Sequence, residues 1–298
     1  MKEINFNKYY KIFNVLSSSL IFVSLLLLFF KGLNLGIDFK GGTLIELRAN
    51  NTTTSDLRSS ISKLNLGDLS VKEFGSTTDF LIKFEKKISK DYPLEKVKKD
   101  IKKVVNSKID FRRIENVGPK VSSELLESSL IAIMLSLTAM LIYVWLRFEW
   151  QFSFGAIVAL FHDVLLTLGI FSLFSIEVNL SIVAAVLTIV GYSMNDTVVI
   201  YDRVRENLKK LADLKIFEIT NISINETLSR TIITSMTTLL ALFSIYIFGG
   251  EILKGFSLAM ILGVVFGTYS SIYIANPILV ILNVSLKTVS KEDEEKSI

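Results

Sequence analysis

The stretch GYSMNDTVVIYDRVREN, Gly191–Asn207, sets an acidic residue, Asp196, inside an apolar run that stops only at Asp202, Arg203 and Arg205. A carboxylate left charged in hydrocarbon costs about 3 kcal/mol or more, so it must be neutralised, paired or solvated by a water-filled cavity. Two readings follow: a functional titrating group, or an acid kept permanently protonated for a helix-packing hydrogen bond. Both make the stretch a membrane span, and that fixes the class of fold to look for.

The composition agrees. The chain has 298 residues, 50% hydrophobic, with mean hydropathy +0.49, 21 Phe and only 3 Pro, as expected of one transmembrane bundle with a modest soluble part. A net charge of +4 is too small to argue for nucleic acid as a partner. The absence of cysteine excludes a disulfide framework and a thiolate metal site.

Crossing a bilayer takes about 20 residues of helix. Spans are predicted at Ile12–Phe30, Leu126–Leu146, Phe152–Phe174, Leu180–Tyr201, Ile232–Phe248 and Phe256–Val284. The first follows Lys2, Lys8 and Lys11; it is too long for a signal-peptide core and no small-residue cleavage site follows Lys31, so it reads as an uncleaved anchor. Cytoplasmic short loops collect Lys and Arg. With the N-terminus inside, that side holds Arg147, a loop with Arg203, Arg205, Lys209, Lys210, Lys215 and Arg230, and a tail with Lys287, Lys291 and Lys296. The opposite side holds only Lys254 in its short loops. Both ends are therefore expected in the cytoplasm, with residues 32–125 as an external domain, 126–284 as the remaining helices and 285–298 as a solvated KEDEEK tail.

The external segment alternates in period. Thr43–Arg48 reads as a strand; Leu57, Ile61 and Leu64 fall at helical spacing; Val71–Phe74 is a second strand, followed by GSTTD as a turn. Phe80, Ile82 and Phe84 give a third strand with one buried face. Pro93 opens a helix with Leu94, Val97, Ile101, Val104 and Val105 as its apolar stripe, and Ile109–Ile114 is a fourth strand. The order β-α-β-β-α-β is ferredoxin-like. The lysines Lys96, Lys98, Lys99, Lys102 and Lys103 read as a solvated face, and no catalytic set is visible. At the entrance stands GIDFKGG, with Gly36, Asp38, Gly41 and Gly42, a backbone that calls for positive φ or close approach; it lacks the downstream helix and Lys-Ser/Thr of a phosphate loop. At the exit VGPK supplies Gly118 and Pro119 as a second hinge.

Further polar residues lie within the spans. His162 and Asp163 sit about ten residues into the third span, roughly 15 Å deep at 1.5 Å per residue. Asp163 is expected to face the bundle core, with His162 as a polar partner or a satisfied core imidazole. Asn195 adjoins Asp196. The fifth span is read as starting at Arg230, with Thr234 and Thr237 or Thr238 on its face. Arg230 is expected to pair with Asp196 or to snorkel to lipid headgroups. The chemistry on offer is proton binding and release: desolvation raises a carboxylate pKa and a nearby guanidinium lowers it.

These motifs in this order closely resemble the SecF side of the SecD–SecF family of protein-export accessory proteins, relatives of the RND transporters. The resemblance runs through GIDFKGG, VGPK, ALFHDVLLTLGIFSL, GYSMNDTVVIYDRVREN, SRTIITSMTTLL and FGGEILKGFSLAMILGVVFGTYSSIYIANP, nearly the whole chain. It implies a half-RND unit in a bacterial inner membrane that uses the proton gradient, with no cofactor, to assist Sec-dependent preprotein translocation. It also implies a SecD-like subunit completing a twelve-span bundle, the Sec translocon channel and unfolded preproteins as partners. On the matching motifs Asp196 and Arg230 carry over as acid and base of proton flow, and Asp163 more weakly. Two alternatives stand beside it. One is a half-size RND transporter of a small molecule or lipid, which favours external domains larger than this one. The other is an intramembrane aspartyl protease with Asp163 and Asp196 as its dyad, which needs two acids close enough to share a proton.

Overall fold

The computed structural model describes residues 4–85, 93–105 and 107–289, except the side chains of residues 251 and 252. The KEDEEK tail, Lys2, Lys291 and Lys296 lie outside the described residues. In chain order, helix α1 (Tyr10–Phe30) leads through β1 (Asn34–Leu35) and a single helical turn, α2 (Ile37–Lys40), into β2 (Gly42–Ala49), α3 (Thr54–Ser62), β3 (Leu69–Phe74), β4 (Ser76–Phe84), α4 (Leu94–Val104) and β5 (Ile109–Val117). Then come α5 (Pro119–Arg147), α6 (Trp150–Leu173), β6 (Glu177–Val178), α7 (Leu180–Lys210), α8 (Ile216–Phe248), α9 (Gly250–Ser270), a π-helical turn (Ser271–Ala275) and α10 (Asn276–Ile281). Among the described residues six helical segments are long and apolar enough to cross a membrane, the last being Leu253–Ile281.

The small domain is an antiparallel sheet in the order β3-β4-β2-β5, the ferredoxin-like arrangement expected from the alternating periods. Ile45, Leu47, Phe80 and Ile82 on one sheet face close a core with Leu57 and Ile61 of α3 and Val97 and Ile101 of α4, all fully buried. A capping box starts α3: the Thr53 hydroxyl accepts from Asp56 N (3.2 Å) and the Asp56 carboxylate accepts from Thr53 N (3.3 Å). Lys96, Lys99, Lys102 and Lys103 of α4 are exposed. GSTTD is not a loop; the chain turns at Gly75 alone and Ser76–Asp79 already belong to β4.

Helices differ from the predicted spans where polar residues continue them. Helix α5 starts at Pro119, its first-turn proline, well before Leu126, and α8 starts at Ile216 rather than near Arg230. Hydropathy marks where a helix enters hydrocarbon, not where it begins. The expected loop after Tyr201 is thus two helical extensions, and its charges pair: Arg147 with Asp202 (2.9 Å), Arg205 with Glu149 (2.9 Å), Arg203 with Glu226 (2.6 Å). Against the α8 extension lies the segment before α1. Ile4 N donates to Asn225 Oδ1 (2.9 Å), Asn225 Nδ2 to Ile4 O (2.8 Å), Phe6 N to Asn221 Oδ1 (2.9 Å), and the Asn7 amide to the Phe217 carbonyl.

Helices α6, α7 and α9–α10 make the interior of the bundle, while α1, α5 and α8 keep largely exposed outer faces. Small residues let α9 approach α7: a Cβ on Gly263 would strike the Ile189 side chain, and one on Gly267 would stand 3.0 Å from Ser193 Cα. Below that contact the sixth span changes pitch at the π-turn. The carbonyls it displaces are satisfied by Asn276 Nδ2 on Ser271 O (2.7 Å) and Tyr201 Oη on Ala275 O (2.9 Å).

GIDFKGG is docked on the bundle. Gly36 N donates to Val178 O (2.8 Å), β1 pairs in parallel with β6, and the Asp38 carboxylate accepts from Leu180 N (3.0 Å) at the start of α7. That places a negative charge at a helix N-terminus, where it is favoured. Gly41 and Gly42, at φ 76° and 135°, turn the chain into β2. Gly36 (φ −77°) and Gly118 (φ −75°) have ordinary backbones; Gly118 precedes the first turn of α5 with Pro119 inside it, and Gly36 serves close approach to Glu177. Lys83 of β4 forms an ion pair with that same Glu177.

Gly267→Ala should lower the thermal midpoint of the detergent-solubilised chain, at a cost of about 1–3 kcal/mol for overpacking. Gly191→Ala, with nothing within 4 Å of its Cβ, should be neutral or stabilising; equal loss in both would refute the packing account. In the small domain the Arg48 guanidinium, 2.6 Å from Asp79, holds that carboxyl down at about 2. A depressed pKa contributes stability that is fully present above the unfolded value near 4 and lost as pH falls toward 2. Hydrogen-exchange protection of β2 and β4 should therefore decline across that interval, and the decline should shrink in Asp79→Asn.

Candidate proton site between three helices

Asp163 of α6 is completely enclosed, as is His162, both with side chains 0% exposed. Its Oδ1 meets His162 Nδ1 at 2.8 Å, and its Oδ2 accepts from Ser193 Oγ of α7 (2.5 Å) and Ser270 Oγ of α9 (2.7 Å). Three helices thus converge on one carboxyl group. Successive residues diverge by about 100°, yet both are buried, because His162 turns toward α1 and stacks on Tyr269, ring centroids 5.8 Å apart. Tyr269 Oη in turn bonds Ser17 Oγ (2.7 Å) and Phe13 O (3.0 Å) of α1. Among the described residues His162 Nε2 is buried without a protein hydrogen-bond partner.

Asp196 is buried on α7, one turn beyond Ser193. Its Oδ2 accepts from Thr268 Oγ1 at 3.5 Å, and Thr268 is linked to Ser235 of α8 (2.7 Å). The expected ion pair is absent among the described residues: no contact within 4.0 Å joins Arg230 to Asp196, although Arg230 stands close enough for its charge to act on the acid. Arg230 and Asn195 are exposed on the bundle surface. The Thr234 hydroxyl bonds back to its own helix at Arg230 O and Thr231 O (both 3.0 Å). The inward face of α8 at this level carries Thr231 and Ser235, both buried.

No hydrogen bond joins the two carboxyl groups among the described residues, and the oxygens of Asp163 are occupied by His162, Ser193 and Ser270. The arrangement is not that of two acids sharing one proton. What it offers is two separately housed acids, Asp163 held by the hydroxyls of Ser193 and Ser270 and Asp196 by that of Thr268. Sequence reading missed Thr268 and Ser270, whose signal was the run GTYSS, Gly267–Ser271, in an otherwise apolar span.

A six-helix bundle with buried acids on its third and fourth spans, and a small α/β domain inserted after the first, defines a membrane protein of the half-RND kind. Comparison with known proteins narrows this. Residues 96–285 match the family described as protein export membrane protein SecD/SecF, C-terminal, and residues 26–53 match the SecD/SecF GG motif. The chain belongs to the SecD/SecF family of multi-pass membrane proteins, on its SecF side. It is 46% identical over 280 residues to the protein translocase subunit SecF of Calditerrivibrio nitroreducens, covering 91% of each chain. It is 43% identical over 281 residues to that of Rickettsia rickettsii, covering 93% of this chain and 90% of the other. The crystal structure of SecDF, a translocon-associated membrane protein from Thermus thermophilus, matches with TM-score 0.85 at 36% identity, over 94% of this chain and 38% of that one. SecDF in its super-membrane-facing form matches with TM-score 0.72 at 33% identity, over 100% and 40%. The chain thus spans about two-fifths of the length of these SecDF chains.

Ser193→Ala and Ser270→Ala each remove a donor to a buried acid, worth about 1–3 kcal/mol. Because both serve one oxygen, the double variant should lose more thermal stability than the two single losses combined; simple additivity would show that the donors act independently.

Proposed function

We propose that the chain is the SecF-type half of an accessory complex that couples the proton gradient to Sec-dependent preprotein translocation and release. The observation that carries the reading is the pair Asp163 and Asp196, buried among neutral hydroxyl donors from α7 and α9. An acid so housed changes its net charge when it gains or loses a proton, and in a dry bundle that change alters which helix contacts are favourable. Protonation of Asp196 removes its attraction to Arg230 and frees α7 to shift against α8 and α9. Helices α6 and α7 meet at Glu177 and Leu180, the points held by Lys83 and Asp38, so a shift of α7 is passed to the small domain. That domain lies outside the inner membrane, where the emerging preprotein is handled.

A SecD-like subunit completes the bundle. Ala184, Thr188, Gly191 and Asn195 form an exposed row along α7, and Arg230 is exposed on α8; small and polar groups suit helix packing better than contact with lipid tails. The Sec channel and unfolded preproteins are the remaining partners. The segment at Ile4–Asn7 and the start of α8 share one face of the bundle; we read that face as cytoplasmic, because Lys8, Lys11, Arg203, Arg205, Lys209, Lys210 and Lys215 flank it and basic residues favour the inside.

The test uses inverted vesicles carrying the complex. Asp196→Asn should abolish the proton-gradient-dependent part of secretion and leave the ATP-driven part intact. Unchanged gradient dependence would overturn the reading.

A further inference from the structure

Phe39, in the middle of GIDFKGG, is only 7% exposed although it belongs to no spanning helix. It belongs to the apolar cluster at the domain-side end of the bundle, which also holds Phe171 of α6, Val178 of β6, Ile182 and Ile189 of α7, and Met260 and Val264 of α9, with Leu126 of α5 packed against it. Asp38 beside it is tied to Leu180 N (3.0 Å), and Gly36 to Val178 O (2.8 Å). Two residues later Gly41 and Gly42 lead straight into β2, the strand at the middle of the domain sheet between β4 and β5.

The layer has a position as well as a composition. From Ile182 to Asp196 along α7 is roughly 21 Å at 1.5 Å per residue, and the buried α7 side chains in between are Ala185, Val186, Ile189 and Val190 until Ser193 is reached. Apolar constrictions of this kind stop conduction by excluding water. We infer that Phe39 is the plug closing the domain-side route to Asp163 and Asp196, and that Asp38 is the positioning residue that seats it. This rests on the proton reading above. The outermost piece of this apolar seal is supplied by the connection to the small domain, so a displacement of the domain withdraws Phe39 and loosens the layer of α7 side chains beneath it to water. Shape supports the assignment: one aromatic ring is the piece that β2 can pull, since Gly41 and Gly42 have no side chains to hold the linker elsewhere.

The experiment is passive proton flux into liposomes holding the complex with its SecD-type partner, followed by a trapped pH dye under an imposed potential. Phe39→Ala should raise flux clearly above wild type, Phe39→Leu should stay near wild type, and Phe39→Ala with Asp196→Asn should return to the wild-type level. Wild-type flux in a folded Phe39→Ala complex would overturn the inference. So would a leak that persists with Asp196→Asn, which would make Phe39 a packing element only. Normal gradient-dependent secretion by Asp196→Asn alone would instead remove the proton reading, so the two failures are distinguishable. Should Phe39→Ala not fold, Phe39→Cys supplies a single thiol in a chain with no cysteine. Its labelling from the domain side should be slow at rest and faster under a gradient, and a gradient-independent rate would overturn the plug.

Discussion

A carboxyl group enclosed by helices has to find hydrogen-bond partners within the protein, and that requirement organises the bundle. Asp163 is satisfied only because α6, α7 and α9 come together closely enough for Ser193 and Ser270 to reach one of its oxygens. That approach depends on α9 presenting Gly263 and Gly267 to α7. The π-turn that follows sits directly after Ser270, and the carbonyls it frees are taken up by Asn276 and Tyr201. Polar satisfaction, small-residue packing and local helix pitch are therefore parts of one arrangement, and none of them is independent of the buried acids.

The small domain is attached to the same helices. GIDFKGG reads in sequence as a flexible entrance, yet in the fold its residues are each engaged: Gly36 in pairing, Asp38 in capping, Phe39 in burial, and Gly41 and Gly42 in turning the chain. Lys83 and Glu177 add an ionic contact between sheet and bundle. Motion of α7 and motion of the domain are for that reason coupled by short, stiff connections instead of a loose linker.

Much of this was legible beforehand. The spans followed from hydropathy, and the β-α-β-β-α-β order from the alternation of periods two and 3.6, because each element buries one face and its pattern shows which. The acids stood out by their cost. Helix ends were less legible, since α7 and α8 continue through charged residues that pair with each other, and pairing between distant segments leaves no local trace. The Asp196–Arg230 ion pair failed for a related reason: sequence gives depth along a helix but not its rotation. In the fold Thr268 of α9, bonded to Ser235 of α8, takes the place beside Asp196, and Arg230 faces outward. Phe39 was overlooked because one aromatic among glycines carries no period.

The clasp between Ile4–Asn7 and the α8 extension has a consequence for biosynthesis. Its hydrogen bonds join residues 210–221 positions apart, so the ribosome has made four spans and the whole inserted domain before Asn221 and Asn225 emerge. Until then the stretch ahead of the first span has none of these partners and stays available to the insertion machinery. The clasp forms only once the start of α8 has been made, so it ties the first span to the fifth late in synthesis.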